Sequence, residues 1–113
     1  MGSLKKLIPF LNRKELIDLL NKVLASKDLV YQEIKMKNIL PFLEEEDIDQ
    51  LFVNLLKDNK DITEFLPFVS KQTLKNIIEL YCFDKLNYTI DVNKFIPYID
   101  EESISLLYKK LTN

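Results

Sequence analysis

Apolar residues recur in four stretches of the chain with the spacing of one face of an α-helix. Within each stretch they fall at offsets i, i+3, i+4, i+7 and i+8, with polar residues between them. This spacing predicts four amphipathic helices, each with one buried and one solvated face. The apolar positions are Leu16, Leu19, Leu20, Val23 and Leu24; Ile48, Leu51, Phe52, Leu55 and Leu56; Leu74, Ile77, Ile78, Tyr81 and Cys82; and Ile104, Leu107, Tyr108 and Leu111.

A proline precedes each of these helices at a constant distance, within the sequences LIPFL, ILPFL, FLPFV and FIPYI. Three residues after the proline comes the position predicted to cap the helix. Asn, Ser and Asp are good N-caps there, whereas Glu is a poor one. The prolines are Pro9, Pro41, Pro67 and Pro97, and the caps that follow them are Asn12, Glu44, Ser70 and Asp100.

The residues before each proline predict a second, short helix of about two turns. It should begin at Asp61, in a capping box with Glu64, or at Asp91, and in the second stretch it should reach back to about Asp28. Proline should end or kink this helix and move the residue before it out of the α region. The aromatic residue after each proline is predicted to turn inward and fill the corner between the two helices. These aromatics are Phe10, Phe42, Phe68 and Tyr98.

Each short helix and the long helix after it form one predicted unit, over residues 2–25, 28–59, 61–86 and 88–112. The predicted fold is all-α: a single domain over 1–113, arranged as a right-handed, α-solenoid-like stack of about four short helix-turn-helix repeats. In its paired helices with a proline in the first, the chain resembles the HEAT-type helical repeats. The resemblance implies an interaction scaffold and transfers no catalytic residue.

Composition excludes several classes of function. The chain has no histidine and one cysteine, so it lacks the commonest acid–base residue and has no possible intrachain disulfide. We expect no enzymatic activity, no cofactor and no metal. A single glycine in 113 residues argues against the tight turns of β-hairpins. Abundant isoleucine, asparagine and lysine are typical of AT-rich coding and indicate a low-GC microbial source.

The net charge and the hydropathy of the chain reduce the number of partner classes that we expect. A net charge of −2 is the wrong sign for a duplex-binding protein, so nucleic acid is not an expected partner. No apolar run approaches the ~20 residues that span a bilayer, and no cleavable signal peptide is recognised. Because exported small domains are commonly held by disulfides, these features together predict a cytoplasmic protein that does not bind membranes.

Two groups of residues are candidates for binding a partner. An acidic run over 44–49 could bind a cation or dock a basic partner, or its carboxylates could simply favour the positive end of a helix dipole. Three aromatics lie off the repeating pattern and could form a partner surface or cover exposed ends of the stack. Cys82 falls at a core position. The candidate partner-binding residues are Tyr31, Phe83, Tyr88, Glu45, Glu46 and Asp49.

The function predicted from these features is a non-enzymatic module that binds another protein. One alternative is a homo-oligomerisation module of a regulator, in which two copies form a homodimer by burying an unpartnered flank against each other. The other is a helical repeat that binds nucleic acid. No phosphate-binding loop, metal-ligand spacing or nucleophile motif is found in the sequence.

Overall fold

The computed structural model describes residues 3–26 and 29–113, and this part of the chain is all-helical. It contains seven α-helices, five short 3₁₀ helices and no strand. The α-helices are α1 Ser3–Leu7, α2 Arg13–Ala25, α3 Met36–Ile39, α4 Glu45–Lys57, α5 Lys71–Cys82, α6 Val92–Phe95 and α7 Glu101–Thr112. The 3₁₀ helices are Ile8–Phe10, Leu29–Tyr31, Leu40–Phe42, Leu66–Phe68 and Ile96–Tyr98.

The four long helices α2, α4, α5 and α7 begin where their caps predict. Asn12 accepts a hydrogen bond from the backbone N–H of Glu15 and forms a complete capping box with it. Ser70 and Asp100 accept the corresponding bonds from the residues three positions later. Glu44 makes no side-chain cap, in agreement with its poor capping propensity.

The predicted break before proline is confirmed in the three segments that contain a short α-helix. In three of the four proline segments the α-helix ends two residues before the proline, and a 3₁₀ turn carries the chain through it. Proline fits near the start of such a turn because no backbone donor is needed there. The residue before proline nevertheless stays in the α region, at φ −54° for Leu40 and −50° for Ile96, so the prediction that proline displaces it was wrong.

Two of the short helices differ from the sequence prediction. In the second segment α3 begins at Met36, because a separate 3₁₀ turn at Leu29–Tyr31 and non-helical residues precede it; Asp28 itself lies outside the described residues. The third segment has only turns before Leu66–Phe68. There Asp61 bonds the N–H and hydroxyl of Thr63 rather than forming a box with Glu64. This local bond competes with helix formation.

The aromatic residues that follow the prolines do not fill a buried corner. Phe10 is 84% exposed, and Phe42 and Tyr98 are also exposed; only Phe68 packs partly against the core. The prediction was wrong because the 3₁₀ turn directs the two residues before proline inward instead. The residue directly before proline is buried in the first three segments, and the residue two before it in the last three.

The hydrophobic core is built from the predicted faces of the long helices and the residues before the prolines. Leu20, Phe52 and Ile78, at equivalent positions of α2, α4 and α5, are fully buried. The rings of Phe52 and Phe95 meet edge to face, with centroids 6.0 Å apart. The core therefore joins different proline segments, here the second and the fourth, rather than lying within each one.

Helices α4 and α5 end in the same way without glycine. Asn59 and Asp84 adopt the left-handed conformation at φ 56° and 57°. At both ends, the N–H of this residue and the N–H of the residue after it donate to carbonyls of the last turn, as in a Schellman motif. Asn and Asp are the non-glycine residues that tolerate this conformation best, so they replace the glycine that this chain lacks.

The molecule is elongated, with principal extents of 55 × 23 × 20 Å. Its radius of gyration is 16.1 Å, whereas a compact domain of this length would have about 13 Å. Across residues 3–26 and 29–113, no helix combines the length and the apolarity that crossing a membrane requires.

Candidate functional site

The N-terminal ends of the long helices contact one another through polar side chains. Arg13, at the start of α2, forms a two-pronged ion pair with Asp47 of α4, with N–O distances of 2.6 and 2.7 Å. Glu46 and Glu44 lie 3.1 and 3.6 Å from the same guanidinium. The hydrogen bond to Asp47, followed by the carboxylate charges, raises the pKa of Arg13 above its ordinary value.

Asp49 makes the corresponding connection between α4 and α5. Its carboxylate accepts hydrogen bonds from the Ser70 backbone N–H at 2.9 Å, the Ser70 hydroxyl at 2.7 Å and the Thr73 hydroxyl at 3.0 Å. The group is partly buried, and its bonds fix the start of α5 against α4. The acidic run thus has two roles that the sequence did not distinguish. Its residues Glu44, Glu46 and Asp47 surround Arg13, whereas Asp49 fixes the start of α5.

Helices α5 and α7 pack side by side and run parallel. Lys75, near the start of α5, pairs with Glu102, near the start of α7, at 2.7 Å. Near the other end, Lys110 of α7 pairs with Asp84 at 2.7 Å and lies 5.4 Å from the ring centre of Tyr81. These contacts at both ends hold the two helices in register. Ser103 and Leu107 of α7 are buried in the contact.

An open groove of about 660 Å³ lies between α5 and α7. It is lined by Glu79, Phe83, Glu101, Glu102, Ser105, Leu106 and Lys109. A second hollow of about 410 Å³ shares Glu79 and Phe83 and continues across α5 to Leu80 and Lys85. Phe83 is 61% exposed and forms the ridge between the two. We call the two hollows and this ridge the Phe83 groove.

The structure brings only some of the predicted binding residues to an accessible surface. Phe83 is exposed in the groove, whereas Tyr31 and Tyr88 are half-buried against the hydrophobic core. Burial raises the pKa of the Tyr88 hydroxyl. Glu45 and Glu46 are exposed at the start of α4, which is not part of the Phe83 groove. Tyr31 and Tyr88 therefore offer a partner less of their surface than Phe83 does.

The remaining chemistry-bearing groups are the thiol of Cys82 and the acidic side chains. The Cys82 thiol is half-buried, and desolvation raises its pKa, which lowers its fraction of reactive thiolate at neutral pH. Among the described residues, no group of three or more Cys, Asp or Glu side chains is placed to hold a metal ion.

Sequence reasoning missed the residues that line the groove beside Phe83. Leu80 and Leu106 lie outside the main apolar stripe of their helices, so the helical pattern assigns them no role. The signal that could have found them is the pair of apolar residues at i and i+3, Leu80 and Phe83, on the polar side of α5.

Comparisons of this chain with protein-family models, with curated proteins and with solved structures found no match.

Proposed function

We propose that this chain is a non-enzymatic protein-binding module built from four short two-helix repeats, stacked in a HEAT-like manner. Three observations support the stacking: a 3₁₀ helix followed by a long α-helix returns at every proline, α5 and α7 run parallel, and the molecule is elongated. A linear stack of alike units has this shape and exposes side chains of several units on one surface. The right-handed course of the stack stays a prediction.

The observation that carries the binding role is Phe83, an exposed aromatic ring on the ridge of an open groove. A ring of this size contributes much to affinity when a partner buries it, and aromatic residues are enriched among the residues that dominate interface energies. Leu80 and Leu106 add apolar surface on either side. The groove therefore has an apolar centre on which a partner side chain can rest.

The charges around the groove indicate the chemistry of the partner. In the larger hollow of the groove, Glu79, Glu101 and Glu102 contribute three carboxylates against the ammonium of Lys109, whereas Lys85 lies in the smaller hollow across α5. Glu102 is already paired with Lys75, so Glu79 and Glu101 remain to attract a cation. The partner that fits is a peptide or helix with an apolar anchor flanked by lysine or arginine. The lone, free Cys82 suits a reducing compartment, and we place the complex in the cytoplasm.

The test uses a displayed library of helical peptides selected on the whole chain. Selected peptides should carry an apolar anchor beside basic residues, and their affinity should fall about 30-fold or more for Phe83→Ala, because truncating a central aromatic removes ~2 kcal/mol or more. The affinity should also fall as salt is raised.

The matched control is Phe42→Ala, which removes an exposed phenylalanine on the surface of another segment. It should leave peptide affinity unchanged. Peptides that bind the Phe83 and Phe42 variants equally well would contradict the assignment of the groove.

A further inference from the structure

Two faces of the molecule expose apolar residues, and four of these residues, Leu7, Ile96, Ile104 and Tyr108, are at positions that are buried in the other segments. The leading face consists of Leu7 and Phe10, in the first proline segment. The trailing face consists of Ile96, Ile104, Tyr108 and Leu111, in the fourth segment and α7. Both faces are on the surface, and nothing in the described residues covers them.

The leading face exposes a position that is buried in the three later proline segments. Leu7 lies two residues before its proline and is 51% exposed. The residues at that position in the later segments, Ile39, Phe65 and Phe95, are all fully buried. Phe95 reaches the ring of Phe52, so this position is the one that inserts toward an earlier long helix.

The trailing face shows the complementary pattern. Tyr108 is 69% exposed, whereas Leu20, Phe52 and Ile78 at the same position of the other long helices are 0% exposed. Ile104 and Ile96 are likewise exposed where their counterparts are buried. In α2 and α4 this helix face is covered by later proline segments, through the packing of α2 on α3 and of Phe52 on Phe95.

We propose that the trailing face of one copy binds the leading face of a second copy, so that the intramolecular stack continues from molecule to molecule. The contact would resemble those within the chain, where a long helix packs against a later proline segment. The inference rests on the stacked arrangement in the proposed function, but not on the Phe83 groove or on any foreign partner.

Charge at the two faces suits this order of association. Within the chain, a cation at the start of one long helix meets carboxylates at the start of the next, as in the Arg13–Asp47 and Lys75–Glu102 pairs. Across the proposed contact, the exposed Glu101 of α7 would meet the exposed Lys14 of the second copy's α2. Opposite charges therefore meet at this junction too, but here the carboxylate is on the earlier helix and the cation is on the later one.

A head-to-tail contact does not close on itself, because each bound copy still has one free face of each kind. This separates it from a homodimer in which two trailing faces bind each other. The whole chain should therefore form species larger than dimers as its concentration rises, and raised salt should weaken them.

The decisive experiment uses two variants, Leu7→Glu and Tyr108→Glu, followed by light scattering and sedimentation. Both side chains are largely exposed, so circular dichroism should show unchanged helix content. Each variant alone should be monomeric, with association weakened about 30-fold or more by the charge placed in the contact. An equimolar mixture should form one-to-one pairs, because each variant retains the face that the other lacks.

The control Phe83→Ala should associate like the unmodified chain, which separates failure of this inference from failure of the proposed groove. Three results would overturn the inference. One is an unmodified chain that stays monomeric at the highest concentration; the second is association blocked by Tyr108→Glu but not by Leu7→Glu, which indicates pairing of trailing faces. The third is a mixture of the two variants that remains monomeric.

Discussion

Helices α5 and α7 carry apolar residues at the same spacing, yet they differ in how much of that stripe is buried. In α5, Leu74, Ile77 and Ile78 are buried in the core. In α7 only Leu107 is, and Tyr108 and Leu111 are in solvent. The apolar pattern therefore defines a face on a helix, whereas burial of that face requires another part of the structure to pack against it. Helix α5 contacts both α4 and α7, whereas among the described residues the face of α7 that carries Tyr108 and Leu111 is exposed.

The largest effect should come from truncating equivalent positions of these two helices. Ile78→Ala should lower the free energy of unfolding by about 2–5 kcal/mol, because it leaves a cavity in a fully buried site. The matched variant Tyr108→Ala should change it by about 0.5 kcal/mol or less at low protein concentration, as expected for a surface site. Urea denaturation measures both. Equal losses would show that the trailing face is buried in the monomer.

The next effect concerns the polar contacts that hold each helix at its start. Asp49→Ala should cost about 1–3 kcal/mol, because it leaves partly buried donors of Ser70 and Thr73 without their acceptor. Glu102→Gln, which removes the exposed ion pair with Lys75 from α7, should cost less. Chemical denaturation measures the free energy of unfolding of both variants. A larger loss of stability for Glu102→Gln than for Asp49→Ala would contradict this ranking.

A smaller effect is expected at the left-handed residues that end α4 and α5. Asn59→Ala should cost about 1 kcal/mol, because alanine is strained at φ 56°. Asp84→Ala should cost more, since it also removes the ion pair that holds Lys110 of α7.

Glycine variants separate the two causes at these helix ends. Asn59→Gly should restore the stability lost in Asn59→Ala, because glycine adopts this conformation freely. Asp84→Gly should recover only the backbone part and still lack the ion pair. Thermal denaturation of the four variants provides the comparison, and full recovery in Asp84→Gly would show that the Lys110 pair does not stabilise α7.

The smallest effect is a pH dependence carried by the cap of α7 and absent from the cap of α5. The Ser103 backbone N–H, donated to Asp100, holds the pKa of that carboxyl below its usual value of 3.8. Because the folded-state pKa is the lower one, the stabilisation is fully present above about pH 4 and is lost as pH falls through the folded-state pKa. Ser70, the cap of α5, does not titrate in this range.

The variant Asp100→Asn tests this, because asparagine is an equally good N-cap without a charge. The urea midpoint of the unmodified chain should fall more steeply than that of the variant between about pH 4 and about pH 2. Two parallel curves would show that the Asp100 carboxylate contributes no pH-dependent stability.

The long helices could be predicted from the sequence because their signals are local. Caps such as Asn12 and Ser70 begin a helix through bonds to residues three positions away, and the apolar spacing defines its face. The short segments before the prolines were predicted less accurately. Near Asp61 a bond to Thr63 competes with helix formation, and after proline the direction of Phe10 depends on a 3₁₀ turn rather than a helical one.

The candidate site could be predicted only in part. Phe83 was recognised because it departs from the apolar pattern, but the groove beside it is made by two helices that are distant in sequence. Asp49 and Tyr88 were grouped with it on charge and position alone. Their hydrogen bonds and burial come from other segments, which a local pattern does not contain.

By itself, the sequence determined the helical class, the starts of the four long helices, the breaks at the prolines and the faces available for burial, since each depends on bonds between residues close in the chain. Which of these faces are covered by another segment depends on the tertiary structure alone. Ile78 is buried and Tyr108 is in solvent at the same position of two similar helices. The physical reason is that apolar surface is stabilised by being removed from water, and this requires a second surface from elsewhere in the chain or from another molecule.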